Sequence, residues 1–185
     1  PGRKSRLPHL VRALLDEKPD VVLLQEVFFK SDAGYIVKNL LQSGFIDSFH
    51  TDTLLIVSKY RFDSHTYQKF IPRFSYNIFL YINELLNWVY GKGYQVVQIS
   101  SDNRQIILVN THLLSAYGLD HGSYREARLR QLVEVCNYLK GGMRRAEQVI
   151  FGGDFNFDIN SPSYQTITNH YGFYDPLHEI VGNTI

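Results

Sequence analysis

Cysteine, methionine and tryptophan each occur once in the 185 residues. A lone cysteine, Cys136, excludes an internal disulfide framework and a cysteine-rich zinc site, and it fits a reducing compartment. Net charge is also nearly absent. Nineteen Lys and Arg against 18 Asp and Glu leave +1, which argues against a chain built mainly to coat nucleic acid. No apolar run approaches the ~20 residues needed to cross a bilayer. The opening, Pro1 to Arg6, does not read as a signal peptide, because it runs directly into an amphipathic pattern. There are no repeats and no low-complexity tract. What is present, 44% hydrophobic and 20% charged residues, suits one globular domain over residues 1–185 with length enough for a core. Aromatics are plentiful at 14%, and eleven of them fall between Tyr60 and Tyr94.

The apolar pattern alternates between the two periods of regular structure. Leu7, Leu10, Val11, Leu14 and Leu15 recur at helical spacing, and the helix should stop at Lys18, ahead of Pro19. Val21 to Leu24 and Leu54 to Ser58 read as strands, and Tyr35 to Ser43 as a helix capped by Gly44. Residues 65–71 alternate weakly, as an edge strand would. Ile78, Ile82, Leu85, Leu86 and Val89 predict a helix over 77–90. Tyr94 to Ile99 and Gln105 to Val109 are two strands joined near Asp102, and Leu129 to Leu139 mark a long helix closed by Gly141 and Gly142. A strand over 148–151 and a short helix over 161–169 follow. Paired strands in the middle of an otherwise alternating order predict a mixed sheet.

Three polar clusters sit at the ends of apolar strands: Gln25-Glu26, Asn110-Thr111-His112, and Gly152-Gly153-Asp154-Phe155-Asn156. Ligands gather beyond strand ends, where loops can aim polar groups at one point. A carboxylate there is costly unless it is paired or holds a cation, which makes Glu26 and Asp154 candidates for a hard-metal site. Asp154 and Asn156, two apart, would face the same way in extended chain, as would Asn110 and His112. A histidine so placed can donate to a phosphoryl oxygen or pass a proton. Each cluster alone also reads as a cap, a core hydrogen bond or a tight Asx loop; their joint occurrence points to chemistry.

With Leu23-Leu24-Gln25-Glu26-Val27, Leu54 to Tyr60, Asn110-Thr111-His112-Leu113 and Gly153-Asp154-Phe155-Asn156 in this order, the chain resembles the endonuclease/exonuclease/phosphatase superfamily. Arg128 and Gln131 resemble that family's Arg-x-x-Gln helix. The resemblance implies an α/β/β/α sandwich, two mixed sheets face to face with helices outside. It implies that Glu26 binds Mg2+ or another divalent cation and that His112 contacts the scissile phosphate and acts as acid. It also implies that Asp154 and Asn156 orient the nucleophilic water and stabilise the transition state. The family mechanism is in-line attack of water on a phosphate ester.

Two family features are missing from this sequence: a first strand ending in a metal-binding asparagine and a C-terminal Asp-His pair. The expectation is therefore a fragment of a longer, incomplete sandwich. Asp52-Thr53 stand where the family often has glycine. Lys92-Gly93, Pro162-Ser163-Tyr164 and Phe173 to Pro176 resemble the neutral sphingomyelinase branch, which implies a phospholipid headgroup as substrate. The aromatic segment 60–94 is a candidate for peripheral membrane contact, with core filling as the alternative reading. Nucleic acid is the less favoured partner, since no dense basic run is present. The alternatives are a nuclease or phosphoinositide phosphatase of the same fold, or a non-catalytic phosphate- or membrane-binding module.

Overall fold

In the computed structural model, residues 2–102, 104–115, 122–142 and 148–176 are described. Helix α1 (Arg3–Asp16) turns Leu7, Val11, Leu14 and Leu15 toward the core. By Lys18, ahead of Pro19, the chain has left the right-handed helical region (φ +51°). Strand β1 (Val21–Leu24), helix α2 (Lys30–Leu41), β2 (Asp47–Thr51) and β3 (Leu54–Ser58) follow. These strands form an antiparallel sheet in the order β1-β3-β2. A second sheet holds β4 (Phe62–Lys69), β5 (Gly93–Ser101), β6 (Arg104–His112) and β7 (Gln148–Asp154) in chain order. Its first two pairings are antiparallel and β6–β7 is parallel, so this sheet is mixed. Helix α3 (Ile78–Val89) joins β4 to β5, and α4 (Gly122–Gly142) lies between β6 and β7. Helix α5 (Pro162–Gln165) continues as one π-helical turn, Thr166–His170.

Side-chain alternation sorts the strands into layers. Val22, Leu55 and Val57 pack with Val11, Ala33, Ile36 and Leu40 of α1 and α2. Ile56 meets Val97, Ile99 and Leu108 across the space between the sheets. On the far side Tyr94, Ile107 and Val109 pack against Leu132, Val135, Cys136 and Leu139 of α4. The result is the expected helix–sheet–sheet–helix order. Cys136 is buried there, and burial pushes its thiol up to about 12, so it serves as packing.

The helix expected over 77–90 forms, yet its apolar stripe does not face the core. Leu80, Glu84 and Asn87 are the buried residues of α3, while Phe79, Leu86 and Val89 are exposed. The aromatic segment therefore divides: Phe70 and Tyr94 fill the core, while Phe79 and Trp88 of α3 stay on the surface. Strand β2 had no clear signal in sequence. Its Asp-Ser-Phe-His-Thr offers one large apolar side chain, and its course is set by the ladder to β3 across a turn where Asp52 has φ +44°. Such a positive φ favours glycine, and aspartate is among the few other residues that visit it at modest cost.

A polar clasp crosses the apolar inter-sheet layer. Gln95 and Asn110 are partners on β5 and β6, both fully buried. Gln95 Nε2 donates to the carbonyls of Phe49 (2.9 Å) and Leu54 (3.2 Å) in the other sheet. Asn110 Nδ2 donates to Leu24 O at 3.0 Å, and Asn110 Oδ1 accepts from Gln25 Nε2 at 2.7 Å. Asn110, grouped with His112 in the sequence, therefore fastens the end of β1 to β6 rather than facing a ligand. Asn110→Ala strands buried carbonyls and an amide, so it is expected to cost on the order of 1–3 kcal/mol. Chemical denaturation measures this; a midpoint matching the parent protein's would show that the clasp is not holding the sheets.

Candidate active site

The carboxyl ends of β6 and β7 and the end of β1 meet at one edge of the inter-sheet space. His112 is directly opposite Asp154 in the parallel ladder. Its Nε2 lies 3.5 Å from Asp154 Oδ2. Asp154 is half-exposed and its Oδ1 accepts the Asn156 backbone N–H at 3.0 Å, an Asx turn that holds Asn156 at φ +52°. Asn156 Nδ2 donates to Leu113 O at 3.0 Å. Gly153 makes the approach possible: a Cβ there would collide with the Thr111 backbone, and its φ is +141°. Gln131 Oε1 accepts from Leu114 N at 2.9 Å, so the Gln of the Arg-x-x-Gln helix steadies the chain just after His112.

The residue that sequence reasoning underweighted is Lys92. Its ammonium is buried and has three acceptors: His112 Nε2 at 2.8 Å, Leu113 O at 3.0 Å and Ser115 Oγ at 3.0 Å. Desolvation lowers Lys92 to about 8, while the charges of Asp154 and Glu26 act in the opposite sense. Burial, then the Lys92 charge, push His112 down to about 4, with Asp154 opposing. At neutral pH the cation of the site is Lys92 and the imidazole is neutral. An ammonium only donates, so Nε2 accepts and the ring proton sits on Nδ1. Nδ1 has no partner among the described residues. In this arrangement the outer nitrogen of His112 accepts from the Lys92 ammonium.

Local structure explains how Lys92 reaches this point. Tyr67 Oη lies 2.7 Å from Gly91 O and 3.0 Å from Asp52 Oδ2, and Lys69 pairs with Asp52 at 2.9 Å. Gly91 (φ +75°) passes so close to Asp52 that a Cβ would strike its side chain. A basic residue just after a tight glycine and opening a buried strand was the available signal, and it stands in Lys92-Gly93.

Glu26 lies just past β1 in the left-handed region (φ +61°), exposed, while Val27 N donates to Thr53 O at 2.9 Å. It joins the cluster through the field it exerts on Lys92, not through a contact. Among the described residues no three His, Cys, Asp or Glu group as a metal cage. An exposed carboxylate of this kind does fit a magnesium ion that keeps most of its waters and takes one or two protein oxygens. Tyr117 and His121, which would follow the His112 strand, and His178 lie outside the described residues.

A profile of the Endonuclease/Exonuclease/phosphatase family matches residues 2–182. The chain belongs to this family. Within the family's reach, it is similar to the inositol phosphosphingolipids phospholipase C of Schizosaccharomyces pombe, 29% identical over 174 residues, covering 91% of this chain and 40% of that one. It thus spans about 40% of the length of that relative. Its fold is similar to sphingomyelinase C from Streptomyces griseocarneus (TM-score 0.74, 18% identity, 92% of this chain and 63% of that one). It is also similar to a mutant beta toxin from Staphylococcus aureus with bound magnesium ions (TM-score 0.74, 16% identity, covering 92% and 63%). At these identities the solved structures speak for the endonuclease/exonuclease/phosphatase fold alone.

The direction of the His112 shift gives a stability test. The ring is neutral in both states above its ordinary value of 6.5, so its contribution is complete there. As pH falls from 6.5 toward 4 the unfolded chain binds the proton first, and stability is lost. His112→Gln is expected to flatten that acid limb in urea-midpoint measurements; an unchanged limb would move the acid sensitivity elsewhere.

Proposed function

We propose that this chain carries the phosphate-binding core of a metal-dependent phosphodiesterase that hydrolyses a phospholipid headgroup by in-line attack of water. The carrying observation is the Lys92–His112–Asp154 cluster, a buried ammonium 2.8 Å from an imidazole that is itself 3.5 Å from a half-exposed carboxylate. The family supports phosphate-ester hydrolysis, and the phospholipase C and sphingomyelinase C names of similar proteins support a sphingolipid-type diester.

Each side chain has a task suited to its state. Lys92, whose three N–H groups are held within the protein, acts on the phosphate through its positive charge in a water-poor setting, where charge developing in the transition state is stabilised most. His112 fixes Lys92 by accepting its hydrogen bond; the proton that the attacking water loses passes to Asp154, and the departing oxygen takes a proton from solvent water. Asp154 takes a hydrogen bond from the attacking water and aims its lone pair. Asn156 uses one amide N–H on Leu113 O and keeps the other for a phosphoryl oxygen. Glu26 would hold the divalent cation, which when bound supplies Lewis-acid charge beside the phosphate.

The test is hydrolysis of sphingomyelin vesicles beside plasmid DNA, with magnesium and with chelator. Lipid hydrolysis that stops on chelation is expected, and His112→Ala should reduce it by at least ~10² while the protein stays folded. Cleavage of DNA alone would instead assign a nuclease, and no turnover of either a binding module. Activity should also fall as pH rises through about 8, where Lys92 loses its proton. Lys92→Arg should remove that alkaline limb; a limb unmoved by this change would take Lys92 out of the charge-bearing role.

A further inference from the structure

Helix α3 is built inside out. Toward the protein it presents Leu80, Glu84 and Asn87. Leu80 packs with Leu114, Tyr124 and Ala127. Glu84, 4% exposed, accepts from Arg130 Nη2 at 2.6 Å and from the Arg73 backbone N–H at 2.8 Å. Asn87 bonds back to Asn83, and Asn83 Nδ2 donates to Ser115 O at 3.3 Å. The inner face is thus held largely by polar anchors. The outer face carries Ile78, Phe79, Ile82, Leu86 and Val89, with Phe79 72% and Val89 62% exposed. Phe74 and Tyr76 extend it before the helix, and Tyr90, edge-on to exposed Phe28 at 6.4 Å, extends it after. An apolar patch of this continuity on a soluble surface marks an interaction site.

We propose that this outer face of α3 docks on a zwitterionic lipid leaflet and so seats the Lys92 cluster at headgroup level. Charge selects the leaflet. From Phe70 to Gly91 the chain has two formal charges, buried Glu84, already paired, and exposed Arg73. At its flank Lys69 is paired with Asp52 and lies 5.7 Å over the Trp88 ring. Such a face has no exposed acid to repel phosphates and no basic cluster to demand anionic lipid. Tyr and Trp rings, apolar at one end and polar at the other, suit the headgroup boundary. Position selects lipid over protein. The helix runs into Lys92 three residues after its end, and Asn83 and Lys92 share Ser115. A protein lying on the face would sit across the mouth of the cluster, whereas a leaflet would offer it headgroups. This choice of occupant rests on the lipid-hydrolase reading.

Trp88 is the chain's one tryptophan and lies on the patch, so it reports docking at this place. The chain is titrated with phosphatidylcholine–sphingomyelin vesicles carrying brominated acyl chains, and hydrolysis of the water-soluble bis(p-nitrophenyl) phosphate is followed in parallel. Trp88 quenching is expected, with binding that high salt leaves unchanged. The double variant Phe79→Ser, Leu86→Ser should bind vesicles at least ~10-fold more weakly, since two exposed side chains lose their apolar transfer. Its turnover of the soluble diester should equal the parent's. Vesicle binding without Trp88 quenching overturns the docking proposal. So does binding confined to anionic vesicles and lost in salt, or a stable dimer in light scattering that the double variant splits. Quenching by a protein that hydrolyses neither diester overturns the hydrolase reading and leaves the docking in place.

Discussion

A buried ammonium must be given acceptors or it will not stay charged, and meeting that demand for Lys92 organises this end of the molecule. Its three N–H groups are taken by His112 Nε2, Leu113 O and Ser115 Oγ. These bonds tie the first residue before β5 to the last residue of β6 and the turn beyond it. They also fix the tautomer of His112 and hold its imidazole neutral. The carboxylates of Asp154 and Glu26, from β7 and from the loop after β1, offset part of the desolvation. Four strands from two sheets, β1, β5, β6 and β7, therefore share one electrostatic arrangement.

The sheets must hold a fixed relation for that arrangement to exist. Apolar packing of Ile56 with Val97, Ile99 and Leu108 gives cohesion without fixing register, since such contacts slide at little cost. Gln95 and Asn110 supply the direction. Their amides find carbonyls of the opposite sheet at Phe49, Leu54 and Leu24, and a slip of one residue would leave all of them buried without partners. Glu26 follows the clasped end of β1 by two residues, so its position relative to Lys92 is inherited from Asn110.

The outward stripe of α3 shows how one periodic signal can serve two ends. Helical spacing of Ile78, Ile82, Leu85 and Leu86 was plain in the sequence, and the helix is there. Periodicity states that one face is apolar, not where it points. The direction was decided by Glu84, whose carboxylate finds Arg130 and the Arg73 backbone N–H on the protein side. A buried carboxylate with an arginine partner outweighs the preference of several apolar side chains for the interior, because the protein already has a core without them.

What the sequence alone determined was the succession of strands and helices, from apolar runs and turn residues, and the strand-end positions of Glu26, His112, Asp154 and Asn156 that carry the family resemblance. These are local properties, written in spacing and side-chain type. Strand β2 escaped because its pairing comes from β3 and not from its own composition. Asn110 and His112 looked alike in sequence, two apart on one strand face, and only the tertiary structure separated them: one meets carbonyls of the facing sheet, the other an ammonium. Lys92 became central for the same reason. Whether a lysine is a solvated charge or the buried cation of a site depends on which distant groups surround it, and no short stretch of chain contains that information.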